Sequence, residues 1–180
     1  MKKISYLILL IISLTGYAFV CLLTQNWDLN TGYVVKFVNP EATGTFEKMT
    51  AEISFDEKDL PNSHFDVRID VNSINLGSPE LSKQALSPDM LNAHKFPLIH
   101  FVSSAVQKAG TGYIVKGSLE LHGVKKDIEI PFTFLTKVFK GGFEIKAKDY
   151  GINSLGNGQE DILKLDLSVL VKEAPAQSGK

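Results

Sequence analysis

The residues best suited to chemistry are few and scattered along the chain. Four histidines, His64, His94, His100 and His122, occur without the HxH or HExxH spacing of a metal site. The single cysteine, Cys21, can form neither an internal disulfide nor a CxxC redox or zinc centre. The sequence contains no GxSxG nucleophile motif and no phosphate-binding P-loop. It therefore predicts no catalytic residues, no metal site and no cofactor.

The charge balance argues against nucleic acid as a partner. The chain has 19 Lys and Arg residues against 20 Asp and Glu residues, a formal net charge of −1, so it lacks the basic excess that attracts polyanions. Arg68 is the one arginine. Because a guanidinium group binds phosphates bidentately and a lysine binds them only as a point charge, we expect no nucleic-acid binding.

An N-terminal targeting segment precedes the body of the chain. Met1, Lys2 and Lys3 are followed by an almost unbroken apolar run over residues 4–23, a pattern typical of a signal peptide. The run is also about long enough to span a bilayer, so residues 1–26 are either a cleaved signal peptide or an N-terminal membrane anchor. The positive charges before the run place the body outside the cytoplasm. We therefore expect a periplasmic or extracellular protein, attached to the membrane through residues 4–23 if the segment is retained.

The body, residues 27–173, shows the pattern of a β-protein. Apolar and polar residues alternate, most clearly from His64 to Val71, and this period of two predicts half-buried strands. The last residues, 174–180, lack an apolar period and are predicted to be a disordered tail. The alternation recurs in eight segments, at residues 33–37, 51–55, 65–71, 99–105, 113–121, 128–134, 143–147 and 163–171.

The connections between these strands indicate antiparallel neighbours. Most are short and contain turn residues, such as His122–Gly123 and Gly141–Gly142, which we interpret as hairpin turns. The connection between the third and fourth strands is longer. It contains Ser78 followed by Pro79, a combination typical of a helix N-terminus, so a short helix is predicted there.

Eight antiparallel strands with one apolar face can form a barrel or a sandwich, and sequential hairpins favour the barrel. Such a barrel is either filled by its own side chains or hollow enough for one small ligand. A hollow interior of this composition would bind a hydrocarbon chain by burying apolar surface. We predict the following inward residues as ligand-binding: Phe37, Phe55, Phe65, Val67, Ile69, Ile99, Phe101, Val115, Gly117, Leu119, Ile130, Phe132, Phe143, Ile145, Leu165 and Leu167.

Five segments of the chain together carry a recognisable pattern. They are the opening segments Gly44–Phe46 and Ile53–Asp56, then Phe65–Ile74, Phe96–Ser104 and the Gly-containing hairpin Val115–Lys126. In their order and spacing these segments resemble the YceI-like polyisoprenoid-binding family. The resemblance covers the chain from about Trp27 to Val171. It implies a lipocalin-like eight-stranded antiparallel barrel, exported from the cytoplasm, whose apolar cavity holds an isoprenoid lipid such as a quinone or polyprenyl phosphate. It also implies that the protein is not an enzyme.

One segment departs from the family pattern. Many members carry an Arg-Asp pair and a His in the helical connection, where this chain has Leu81–Ala85. Met90–Leu91 replaces a frequent Phe-Phe pair and keeps its apolar character.

Three functions remain open from the sequence. The first is an isoprenoid carrier or store. The second is a solid-core barrel that acts as a periplasmic protein-interaction module. The third is an enzyme with a lipocalin-like pocket, which would need paired acid and base groups at inward positions, and none occur there. Lys125 and Lys126 could approach a pyrophosphate at a barrel mouth, but paired lysines near a hairpin more often guard a solvated edge.

Overall fold

The computed structural model describes residues 24–39, 42–152 and 162–175. The predicted targeting segment, apart from residues 24–26, and residues 176–180 of the predicted tail lie outside the described residues. Within those described ranges, no helix is both long and apolar enough to cross a membrane.

Most of the described residues are in β-strands. One helix, α1, spans Pro79–Ala85, and short 3₁₀ turns span Leu60–Asn62, Val71–Ser73 and Ala147–Tyr150. The strands are β1 (Asn26–Leu29), β2 (Val34–Val38), β3 (Thr43–Phe46), β4 (Met49–Ser54), β5 (His64–Asp70), β6 (Ile74–Asn75), β7 (Leu98–Ala109), β8 (Gly112–Leu121), β9 (Val124–Leu135), β10 (Val138–Lys146) and β11 (Ile162–Glu173).

These strands close into an eight-stranded antiparallel barrel, which confirms the predicted fold. β11 pairs with β10 on one side and with both β1 and β2 on the other, so β1 and β2 are two halves of one barrel strand. In the same way β3 and β4 form the next barrel strand, and β5 and β6 the one after it. Each barrel strand therefore pairs with its neighbours in the sequence, and the pairing of β1 with β11 closes the ring.

The helix α1 begins where the sequence predicts. The Ser78 hydroxyl accepts a hydrogen bond from the backbone N–H of Leu81 (3.4 Å) and donates one to the Glu80 carboxylate (2.7 Å). The first contact satisfies one of the backbone donors that a helix N-terminus leaves free. The second lowers the pKa of Glu80, with a smaller contribution from the residue's own backbone.

The interpretation of Gly141–Gly142 as a hairpin turn is wrong. Both glycines lie within β10, and the turn is formed by Thr136 and Lys137, at φ 50° and 62°. Non-glycine residues rarely adopt positive φ, so the sequence carries little signal for this turn. Gly142 is required for a different reason, because a Cβ there would lie 2.8 Å from the carbonyl oxygen of Leu165 on β11. The glycine pair marks a close approach between strands.

One end of the barrel, which we call the closed end, is filled by aromatic side chains. Phe55, with 1% of its surface exposed, is at the centre, and the Nε1 of Trp27 donates a hydrogen bond to its carbonyl oxygen (2.9 Å). The ring centroids of five aromatic residues lie between 5.2 and 6.1 Å from the Phe55 ring. We call the whole set the aromatic plug: Trp27, Phe55, Phe65, Tyr113, Phe132, Phe134 and Phe139.

Candidate functional site

Above the aromatic plug the barrel is hollow. A cavity of about 140 Å³ lies there, and no residue that lines it is polar or ionisable. We call it the main cavity. Its lining residues are Phe46, Met49, Ala51, Ile53, Phe65, Val67, Ile69, Ile99, Phe101, Val115, Leu119, Leu121, Ile130, Phe132, Phe139, Gly141, Phe143, Ile145, Leu165, Leu167 and Val169.

Thirteen of the sixteen residues predicted as ligand-binding lie together around this cavity. Their role in binding stays a prediction, but their inward orientation follows directly from the alternation in the sequence. They are Phe65, Val67, Ile69, Ile99, Phe101, Val115, Leu119, Ile130, Phe132, Phe143, Ile145, Leu165 and Leu167.

The other three predicted residues lie outside the main cavity. Phe37 lines a second cavity, and Phe55 is buried in the aromatic plug. At Gly117, a Cβ would lie 2.4 Å from the carbonyl oxygen of Val102 and 2.6 Å from Cζ of Phe101. The neighbouring chain therefore takes up the space that the missing side chain leaves, and Gly117 supports the Phe101 ring instead of facing the cavity.

The prediction also missed lining residues, of which Phe139 and Gly141 are the most informative. Both have the same parity as Phe143 and Ile145 on β10, so continuing the alternation towards the N-terminus would have found them. The incorrect turn at Gly141–Gly142 interrupted that pattern. Phe46 and Met49 were missed at the junction of β3 and β4, where the barrel strand is interrupted.

A second cavity, of about 110 Å³, lies towards the opposite end of the barrel, which we call the α1 end. Ala85 from α1, and Met90 and Leu91 from the connection after it, form part of its wall. Met90–Leu91 thus keeps the apolar character expected from the sequence. The two cavities adjoin, because both are lined by the same five residues, Phe46, Ile99, Leu121, Ile145 and Leu165.

The size and chemistry of these cavities favour an apolar ligand. An apolar cavity of about 150 Å³ in another protein stays dry and binds benzene, so each cavity here has room for an apolar group of that order. Burial of such a group contributes about 25 cal/mol for each Å² removed from water. A charged group would find no partner in the main cavity, because none of its lining residues can ionise or form a side-chain hydrogen bond.

Polar clusters lie outside the cavity. On the outer face, the Asp66 carboxylate contacts Arg68 and His100, each at 2.9 Å. At the closed end, the Tyr113 hydroxyl donates a hydrogen bond to the Glu57 carboxylate. The pKa of Tyr113 is raised mainly by burial and, to a smaller extent, by this hydrogen bond. Among the residues that the structure describes, no group of His, Cys, Asp and Glu is arranged to hold a metal ion.

A closed antiparallel barrel with an internal apolar cavity is a lipocalin-like architecture. Residues 28–171 match the model of the YceI-like domain. The chain therefore belongs to the YceI-like family.

Curated relatives and solved structures agree with this assignment. The chain is 33% identical over 130 residues to a UPF0312 protein from Serratia proteamaculans, covering 66% of this chain and 68% of the relative. It is 34% identical over 141 residues to the UPF0312 protein YE1254 from Yersinia enterocolitica, covering 70% and 71% of the two chains.

Three solved structures share the fold. Burkholderia cenocepacia BcnA is 26% identical, with a TM-score of 0.72 over 81% of this chain and 99% of BcnA. The Campylobacter jejuni YCEI protein is 21% identical, with a TM-score of 0.64 over 73% of this chain and 84% of its own. A polyisoprenoid binding domain from Saccharophagus degradans is 18% identical, with a TM-score of 0.61 over 85% and 99%.

Proposed function

We propose that this protein is a non-enzymatic, exported binding protein that holds an isoprenoid lipid, a quinone or a polyprenyl phosphate, in its barrel for transport or storage. The observation that carries the proposal is the main cavity, whose lining contains only apolar residues. An isoprenoid tail is a branched hydrocarbon and needs no polar partner inside the barrel. The polyisoprenoid-binding domain from Saccharophagus degradans, which shares the fold, supports the same ligand class.

The shape of the interior supports a ligand with two different ends. The aromatic plug closes one end of the main cavity, and the second cavity continues it towards the α1 end. An apolar tail would therefore lie deepest, against Phe132 and Phe139, and a quinone ring or phosphate would remain near the α1 end. The main cavity disfavours the alternative function, in which a solid-core barrel acts as a protein-interaction module.

Export is part of the proposal and rests on the sequence. The apolar run over residues 4–23 behind Lys2 and Lys3 supports delivery to the periplasm or the exterior, with either a cleaved signal peptide or a retained anchor. Cell fractionation and the mass of the mature N-terminus would test it. A cytoplasmic protein with Met1 intact would contradict it.

Mass spectrometry of organic extracts tests the ligand. The protein is purified from its native host and compared with Ala51→Phe, in which the new ring projects into the main cavity. The cavity has room for a ring of this size, so Ala51→Phe should fold and exclude the lipid. The matched control is Glu52→Phe, an exposed neighbour on the same strand, which should retain it. Extracts of the wild type without isoprenoid, or equal lipid content in all three proteins, would refute the proposal.

A further inference from the structure

The barrel wall is split between β9 and β10. These strands pair only from Leu135 opposite Val138 to Phe132 opposite Gly141. Beyond that point β9 continues to pair with β8 as far as Val124, and β10 continues to pair with β11 as far as Lys146. The two strands therefore separate over their halves nearest the α1 end, although both remain in regular strand conformation.

The residues at the point of separation explain the split. Pro131 follows the last pairing on the β9 side and has no N–H to continue the ladder. On the β10 side, a Cβ at Gly141 would lie 2.7 Å from the carbonyl oxygen of Pro131, and one at Gly142 would lie 2.8 Å from that of Leu165. Gly141 therefore allows β10 to approach β9 closely at the last pairing, and Gly142 allows β10 to pack closely on β11.

The split lies beside the main cavity. Ile130 on one margin, and Phe143 and Ile145 on the other, all line the main cavity. If β9 and β10 paired along their whole length, their backbone hydrogen bonds would close the wall at this height. Without those bonds, no strand pairing in the described part of the chain joins the two margins at this height.

The 3₁₀ turn Ala147–Tyr150, which directly follows β10, spans the split at the α1 end. Its Asp149 carboxylate lies 3.2 Å from the Nζ of Lys126 on β9, and that Nζ is 5.7 Å from the centre of the Tyr150 ring. The Nδ1 of His122, in the turn between β8 and β9, donates a hydrogen bond to the Tyr150 carbonyl oxygen (3.0 Å). These contacts join the β10 side of the split to the β8–β9 side.

Lys126 has an unusual place in the barrel. It is directly opposite Leu119, which lines the main cavity, and the side chains of directly paired residues lie on the same face of a sheet. An inward position in this protein is otherwise occupied by residues such as Ile128 and Ile130. Here the lysine extends to Asp149 at the margin of the split, where both side chains are about half exposed, 41% and 48%.

We propose that the split between β9 and β10 is a side entrance through which an apolar chain reaches the main cavity, and that the contacts of Lys126 with the 147–150 turn keep it closed. This inference rests on the proposed lipid-binding function. Opening requires the loss of an exposed ion pair and the displacement of a short turn, and no ladder hydrogen bond between β9 and β10 has to break. An exposed ion pair stabilises by at most about 1 kcal/mol, which corresponds to roughly a fivefold change in rate.

The test compares Lys126→Ala with Lys116→Ala in the full chain. Lys116 is on the neighbouring strand β8, has the same 41% exposure and forms an ion pair with Glu129 at 2.7 Å, but its contact does not span the split. Amide hydrogen exchange of the ligand-free protein reports opening of the wall. Stopped-flow quenching of Trp27, the single tryptophan, by decylubiquinone reports entry and exit of an apolar chain.

We expect Lys126→Ala to accelerate exchange at residues 142–150 and to raise both the association and the dissociation rate of decylubiquinone about fivefold. The equilibrium constant should change less than twofold, because the closed state of the cavity is unaltered. The charge-reversed pair Lys126→Asp with Asp149→Lys should restore slow rates, and Lys116→Ala should behave as the wild type.

Three results would overturn the inference. If Lys126→Ala and Lys116→Ala have equal amide exchange rates and equal quinone association and dissociation rates, the Lys126 contacts do not hold the wall closed. If amide exchange accelerates at residues 142–150 while the quinone rates stay constant, the split opens but is not the entrance. If neither the wild type nor any variant binds the quinone, although Lys126→Ala accelerates amide exchange at residues 142–150, the proposed function fails for this ligand and the proposed entrance fails with it. The Lys126 contacts would then only stabilise the barrel wall.

Discussion

Truncating two phenylalanines at different heights of the barrel should separate its filled part from its hollow part. Phe55 lies in the aromatic plug, is 1% exposed and has five aromatic neighbours. Phe143 lies on β10, is half-buried and faces the main cavity. Both are inward residues, so the alternation in the sequence does not distinguish them.

The expected magnitudes follow from what surrounds each ring. Phe55→Ala removes a fully packed ring and leaves a void, which costs about 3–5 kcal/mol. Phe143→Ala removes a ring that already has empty space on one side, so fewer contacts and less buried area are lost, and we expect about 1–2 kcal/mol. For a chain of this size each kcal/mol lowers Tm by about 2–4 °C.

Thermal and urea unfolding of both variants, each compared with the wild type after extraction of lipid, measure the difference. Decylubiquinone titration should show the opposite order, because Phe143 lines the main cavity, where we propose that the ligand binds, whereas Phe55 lies in the aromatic plug below it. Equal losses of 3–5 kcal/mol in the two lipid-free variants would mean that the space beside Phe143 is filled in solution. The description of the barrel as half hollow would then be wrong.

Three further predictions concern single features of the chain. Gly117→Ala should lower Tm with little change in ligand affinity, measured by thermal unfolding and titration, because its Cβ would collide with Val102 and with the ring of Phe101; an unchanged Tm would contradict this. Burial and, to a smaller extent, the nearby Asp149 raise the pKa of Tyr150. The contribution of the neutral Tyr150 to the free energy of unfolding is therefore fully present below pH 10 and is lost as the pH rises through the pKa of the folded state. Urea unfolding between pH 9 and 11 should show a smaller fall in stability for Tyr150→Phe than for the wild type. Deletion of residues 1–26 should leave the β-type circular dichroism spectrum intact, and an unfolded product would refute the predicted domain boundary.

The sequence predicts the direction of side chains well. Alternation with period two identified the eight barrel strands and placed thirteen cavity residues on the correct face, because each residue in a strand points opposite to its neighbour. It was less informative about strand ends and turns. Thr136 and Lys137 form a turn that normally favours Asn or Gly, and Gly141, which has the appearance of a turn residue, lies inside a strand.

Alternation alone could not decide whether the barrel is hollow, because the volume inside depends on which residues lie at the same height. The ladders place Ala51 beside Val67, and Val67 beside Phe101, so a small and a branched residue share this height with one ring. Nearer the closed end, Phe55, Phe65 and other rings meet and fill the interior.

These heights follow from the register of all eight strands together, and two local features shift it. One is the bulge in β7 between Ser103 and Ala105, opposite Gly117, and the other is the early start of β10, which adds Phe139 to the plug. A single displaced register would exchange a ring for a small residue at one height. A cavity, and the split that leads to it, is therefore a property of the closed barrel and is not encoded in any one strand.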